Sequence, residues 1–130
     1  MSGENVEQLR RAYEAFSRGD FNAAIEVAHP EIEFVRAGGQ APVRGADAFR
    51  AWMEPDAIVD ARIEPLEFRT NGSKVLVRQF NRARGAASGI ELEQETWAVW
   101  TLDENGLATR VEGFLAHQRH EALEAAGLSR

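Results

Sequence analysis

Few side chains in this sequence offer chemistry, and His117 is the foremost. An imidazole titrates near neutrality, so a histidine aimed by strand phase at a pocket mouth can act as a general base. The alternative is an exposed histidine at a strand end. His117 and His120 stand three residues apart, a spacing that can serve zinc, but no third histidine or placed carboxylate accompanies them and no metal site is expected. Gln94 and Thr96 share one strand parity and can either orient a ligand through hydrogen bonds or serve the sheet itself. Arg78 shares a parity with Leu76 and Phe80. It either places a cation beside an apolar cavity, fit to bind a carboxylate, or pairs with a glutamate across the sheet. The loop at 85–89 has no lysine and no following helix, so it reads as a hairpin connection and not as a phosphate cradle. The absence of cysteine excludes disulfides, thiolate nucleophiles and thiolate metal sites. No cofactor is implied.

These residues need elements to position them. Val6, Leu9, Tyr13 and Phe16 are spaced by three, four and three residues, which lines them along one face of a helix that Gly19 can end. Asp20 is placed to cap a second helix carrying Phe21, Ala24, Ile25 and Ala28, with Pro30 stopping it. A short strand at 32–35 and a turn-rich stretch at 37–45 follow, then a third helix presenting Phe49, Trp52 and Met53 before Pro55. The rest reads as strands at 58–69, 74–82, 90–102 and 108–117, joined by turns at Asn71-Gly72, 85–89 and 103–106, and a short helix at 121–126 closes the chain. Pro65 suggests an edge strand or a bulge, since proline cannot donate to a ladder. Helices followed by an antiparallel meander indicate an α+β domain with its helices on one sheet face.

The strand at 90–102 changes character along its length. Glu91, Glu93 and Glu95 alternate with Ile90, Leu92 and Gln94, the pattern of one wet face and one buried face. From Thr96 onward both parities are apolar: Trp97 and Val99 on one, Ala98, Trp100 and Leu102 on the other. Burial on two sides is expected there. The chain's own helices can cover one face of a single sheet, so a second copy is expected to cover the other.

The 130 residues, 44% hydrophobic and 28% charged, suit one domain with its own core. A net charge of −6 with scattered arginines disfavours nucleic acid as a partner. No apolar run approaches the roughly 20 residues that span a bilayer, so no membrane association is expected. The polar, acidic start lacks the pattern of a signal peptide, which makes a cytoplasmic location the default.

The order of elements, with particular residues, resembles the nuclear transport factor 2-like superfamily in its SnoaL-like and ketosteroid-isomerase-like branch. The matching pieces are Tyr13-Glu14-Ala15-Phe16-Ser17-Arg18-Gly19-Asp20, Val43-Arg44-Gly45-Ala46-Asp47-Ala48-Phe49, Trp97-Ala98-Val99-Trp100 with Asp103-Glu104-Asn105-Gly106, and Glu121-Ala122-Leu123-Glu124-Ala125-Ala126-Gly127-Leu128. The resemblance covers nearly the whole chain, as one domain over 1–130. It implies a cone-shaped, cystatin-like α+β fold in which a curved, mostly antiparallel sheet wraps around the N-terminal helices and leaves a deep apolar pocket, usually in a homodimer formed through the outer sheet face. Tyr13, Phe16, Trp52, Met53, Gln94, Thr96, Ala98, Trp100, Val111 and Leu115 are then expected to line the pocket, with Gly113 in the same phase. Trp97 and Val99 are expected at the dimer interface.

The resemblance also locates where the family's catalytic groups would stand, and this chain departs at each place. The isomerase's general base falls at Phe34 or Val35, its acid at Ala98, and its tyrosine at Ala12, with Tyr13 next to it. The aspartate of the cyclases falls near Gly113. Three functions are carried forward: a pocket protein binding a small apolar or moderately polar organic molecule; an isomerase, cyclase or hydrolase using His117 with Glu112 or Glu95; and a dimerisation or partner-binding module built on Trp97 and Val99.

Overall fold

The helical face of Val6, Leu9, Tyr13 and Phe16 forms α1 (Ser2–Ser17), with Leu9 fully buried and Tyr13 and Phe16 buried in the main core. Gly19, at φ 83°, ends it: its N–H bonds the Phe16 carbonyl (3.0 Å) and the Asp20 N–H bonds the Ala15 carbonyl (2.9 Å), the paired closure that a left-handed residue permits. Asp20 then caps α2 (Phe21–Ala24), accepting from the Ala23 N–H at 3.1 Å. The computed structural model describes residues 2–37 and 41–128. Residues 38–40 of the expected turn-rich stretch lie outside the described residues.

The second helix is shorter than its apolar spacing predicts. After one 3-10 turn (Ile25–Val27) the chain enters β1 (Ala28–Val35), so Ala28 and Pro30 lie in a strand. Proline is tolerated there because the pairing of β1 is irregular between Ala28 and Glu33. Next come β2 (Val43–Arg44) and α3 (Ala46–Met53), with Phe49 and Met53 buried. The meander consists of β3 (Ile58–Asn71), β4 (Lys74–Gly85), β5 (Glu91–Leu102) and β6 (Ala108–Leu115). The order β2-β1-β6-β5-β4-β3 gives a six-stranded mixed sheet in which only β1 and β6 run parallel. The fold is the expected α+β cone, with a curved and mostly antiparallel sheet around the N-terminal helices. Pro65 lies on the edge strand β3 beside a register shift.

The sheet's two faces are covered by different parts of the chain. On the inner face α1, α2, α3 and the inward residues of the strands make the main core. On the outer face a second cluster joins Leu76, Trp97 and Val99 to Ala122, Leu123 and Ala126 of the C-terminal helix α4 (Arg119–Ala125) and its cap. Trp97 and Val99 are therefore only 7% and 1% exposed within a single chain. This corrects the expectation that a second copy must cover them. The seven-residue helix is seated by the β3–β4 hairpin, because Lys74 Nζ donates to the Ala125 carbonyl (2.8 Å) and Asn71 Nδ2 to that of Ala126 (3.0 Å). A cation at a helix C-terminus also complements the helix dipole.

Truncating Leu123 to alanine removes the centre of this outer contact and should lower unfolding stability by about 2 to 5 kcal/mol. Urea unfolding monitored by circular dichroism measures it. A change well under 1 kcal/mol would mean that α4 is not packed on the sheet.

Candidate functional site

Between the inner sheet face and the helices lies a cavity of about 450 Å³. Its walls are mostly aromatic and aliphatic. Phe34 of β1 meets Phe49 and Trp52 of α3 with ring centroids 5.1 and 4.6 Å apart, and Trp100 of β5 meets Phe49 edge-on at 6.3 Å. Phe16 and Met53 also line it. Trp52 is 43% exposed while bordering the same space, which places it at the rim.

One wall is polar, and its hydrogen bonds have a fixed direction. Trp100 Nε1 is only a donor, and it donates to the Tyr13 hydroxyl oxygen (3.0 Å). The Tyr13 proton goes to Gln79 Oε1 (2.6 Å), which turns the amide nitrogen of Gln79 toward Thr96. Thr96 Oγ1 accepts from Gln79 Nε2 (3.1 Å) and from Asn81 Nδ2 (2.8 Å), and Asn81 Nδ2 also reaches the Gln94 carbonyl (2.9 Å). With both acceptor sites of the threonine oxygen used, its proton has no acceptor among the described residues. Thr96 lines the cavity, so that proton is available to a bound molecule. Burial pushes the Tyr13 hydroxyl well above the ordinary phenol value, and the Trp100 hydrogen bond offsets this only in part. Tyr13 therefore stays protonated and acts as a donor, not as a base.

Arg36 is the one charged side chain among the described residues lining the cavity. It follows Ile32 and Phe34 in the inward parity of β1, just past the end of the strand. Its Nε is buried with no hydrogen-bond partner. The segment packs closely over position 113, where a Cβ would lie 3.2 Å from the Ala37 backbone nitrogen, so the glycine eases this approach. Gly113 pairs with Ala98, which also lines the cavity. Pairing of Val35 with Glu112, and the ion pair between Glu33 and Arg110, hold β1 on β6 just before Arg36.

The structure brings Tyr13, Phe16, Trp52, Met53, Gln94, Thr96, Ala98, Trp100 and Val111 around the cavity, and Gly113 with them. Leu115 is not among the lining residues. It keeps its pairing opposite Thr96, but β6 ends there and its N–H donates to Gln118 Oε1 (2.8 Å). That turn corrects the reading of His117 as well. His117 lies in a 3-10 turn (Ala116–Gln118) outside the strand, exposed, and does not border the cavity. Its suggested acid partners face outward, where Glu95 meets Arg78 (3.5 Å) and Glu112 meets Arg110 (3.4 Å). Arg78 also meets Glu67 (3.4 Å), so it is the cross-sheet ion pair. Gln79, Asn81 and Arg36 escaped the sequence reading, although the alternation Ile32, Phe34, Arg36 would have pointed to the last.

The SnoaL-like domain model matches residues 9–111. No curated protein matches the chain. Among solved structures, SalBIII, an epoxide hydrolase/cyclase-like enzyme in pyran ring formation in the polyether salinomycin, is similar at TM-score 0.80 and 17% identity over 90% of this chain and 94% of that one. A putative polyketide cyclase from Xanthomonas campestris pv. campestris is similar at TM-score 0.77 and 18% identity over 97% and 96%. TerC, co-crystallised with polyporic acid, is similar at TM-score 0.73 and 23% identity over 92% and 98%. At these identities the likeness is one of fold.

Two outcomes test the polar wall. Tyr13→Phe leaves the Trp100 N–H and Gln79 Oε1 without their shared partner and should cost about 1 to 3 kcal/mol in urea unfolding; no loss would contradict the bonding. Tyr13 is the only tyrosine, so phenolate absorbance reports it alone. Because its proton is held more tightly folded than unfolded, the associated stability is complete below about pH 10 and is lost as pH rises beyond it toward the folded value. Ionisation of the folded chain at the ordinary phenol value would contradict this burial.

Proposed function

Because the chain belongs to the SnoaL-like domain family, we propose that its cavity is the binding site of a small organic molecule with a largely apolar body. The observation that carries this reading is the composition of the cavity wall. Aromatic and aliphatic side chains line most of a space of about 450 Å³, and a few polar groups are gathered on one side. That is the pattern of a ligand pocket, in which apolar area supplies affinity and a few donors fix orientation. General acid–base catalysis needs a titratable group within reach of the reacting atom. The described residues lining the cavity include no aspartate, glutamate or histidine. Binding is therefore supported ahead of isomerase, cyclase or hydrolase chemistry. Co-crystallisation of TerC with polyporic acid lends the reading general support from a protein of the same fold.

A neutral fluorescent probe, N-phenyl-1-naphthylamine, should bind saturably at one site per chain. Ala98→Phe, which fills the cavity from the sheet side, should abolish that binding while leaving the circular dichroism spectrum unchanged. Absence of saturable binding by the unsubstituted chain, or undiminished binding by a folded Ala98→Phe variant, would overturn the reading.

A further inference from the structure

The cavity holds a positive charge that the binding of an apolar body does not explain. Arg36 points inward from the end of β1 into an enclosure whose other described lining residues carry no charge. A guanidinium partly withdrawn from water favours a counter-charge or hydrogen-bond acceptors, because an unpaired polar group removed from water is disfavoured. None is present among the described residues: no ion pair involves Arg36, and its Nε is buried with no partner. Four other arginines of the sheet contrast with it. Arg78, Arg82, Arg84 and Arg110 each meet a carboxylate on the outer face.

We propose that the ligand is an organic anion, with an oxygen of a carboxylate, or of an enol or phenol acidic enough to ionise near neutral pH, paired with Arg36. This rests on the reading of the cavity as a binding site and specifies what enters it. The guanidinium presents N–H donors in a rigid plane that suits such oxygens, and the bond is charge-assisted. Thr96 supplies a second donor. Its hydroxyl proton is released toward the cavity by the two amides that occupy its oxygen, so a further carbonyl or hydroxyl oxygen on the ligand can accept it. The aromatic walls at Phe34, Phe49 and Trp100 take the apolar remainder. Gly113 and Ala98 are the small residues that leave room beside the arginine, and the close approach of Ala37 to Gly113 fixes where its chain enters.

The test compares 2-naphthoate with the neutral 2-naphthamide by isothermal titration calorimetry near neutral pH. The unsubstituted chain should bind the carboxylate about tenfold or more tightly than the amide, the increment of a charge-assisted bond. Arg36→Met should erase that preference while retaining the amide, and Arg36→Lys should restore part of it. Saturable binding of N-phenyl-1-naphthylamine by each variant verifies that its cavity is intact. Equal affinities for the two naphthalenes, or a preference that survives in a probe-binding Arg36→Met variant, would overturn the anionic ligand and leave the cavity reading standing. Loss of neutral-probe binding by the unsubstituted chain would remove both.

Discussion

The interior is organised around the hydroxyl of Tyr13. A buried phenol needs a hydrogen-bond partner and can both give and receive, and here it receives from Trp100 of β5 and gives to Gln79 of β4. The ring that carries it belongs to α1 and packs edge-on against Phe68 of β3 at 6.3 Å and Trp100 at 6.1 Å. One side chain thereby ties the first helix to three adjacent strands. It also sets the polarity of the wall beyond it. Since Trp100 can only donate, each later bond runs in one direction, and the sequence of donors ends with the Thr96 proton facing the cavity. The fold and the recognition chemistry share this bond.

The second constraint is area. A strand that is apolar on both faces needs two covers, and β5 obtains both from its own chain. The inner cover is incomplete, which leaves the cavity. The outer cover is complete at Trp97 and Val99 because α4 sits there, clamped by Lys74 and Asn71 at its C-terminal carbonyls. The placement of the cavity follows from the same division: small residues, Ala98 and Gly113, face inward where the larger Trp97 and Val99 face out under the helix.

Much of this was legible in the sequence, for reasons of period. The alternation through 90–102 placed Thr96, Ala98 and Trp100 together and opposite Trp97 and Val99, and the resemblance assigned the first set to the pocket. The helical spacing of Leu9, Tyr13 and Phe16 was equally plain. Docking of α4 was not legible, because Ala122, Leu123 and Ala126 make a stripe too short to say which apolar face it meets. In β4 both parities mix apolar and polar residues, with Val75, Val77, Gln79 and Asn81 on one and Leu76, Arg78, Phe80 and Arg82 on the other, so Arg78 and Gln79 could not be assigned to faces from the pattern. His117 was displaced by a 3-10 turn that begins one residue after Leu115 and destroys strand phase. Arg36 continued a clear alternation, but it directly precedes a glycine-rich stretch where strand logic stops applying.

Sequence, packing and charge meet at Arg36, where an apolar enclosure receives a single cation. The most direct measurement is a crystal structure of the chain with 2-naphthoate bound. The carboxylate is expected within hydrogen-bond distance of Arg36 Nε, with the rings against Phe34, Phe49 and Trp100. A cavity left without the ligand at saturating concentration, or a carboxylate turned away from Arg36 toward solvent, would contradict the account of this site.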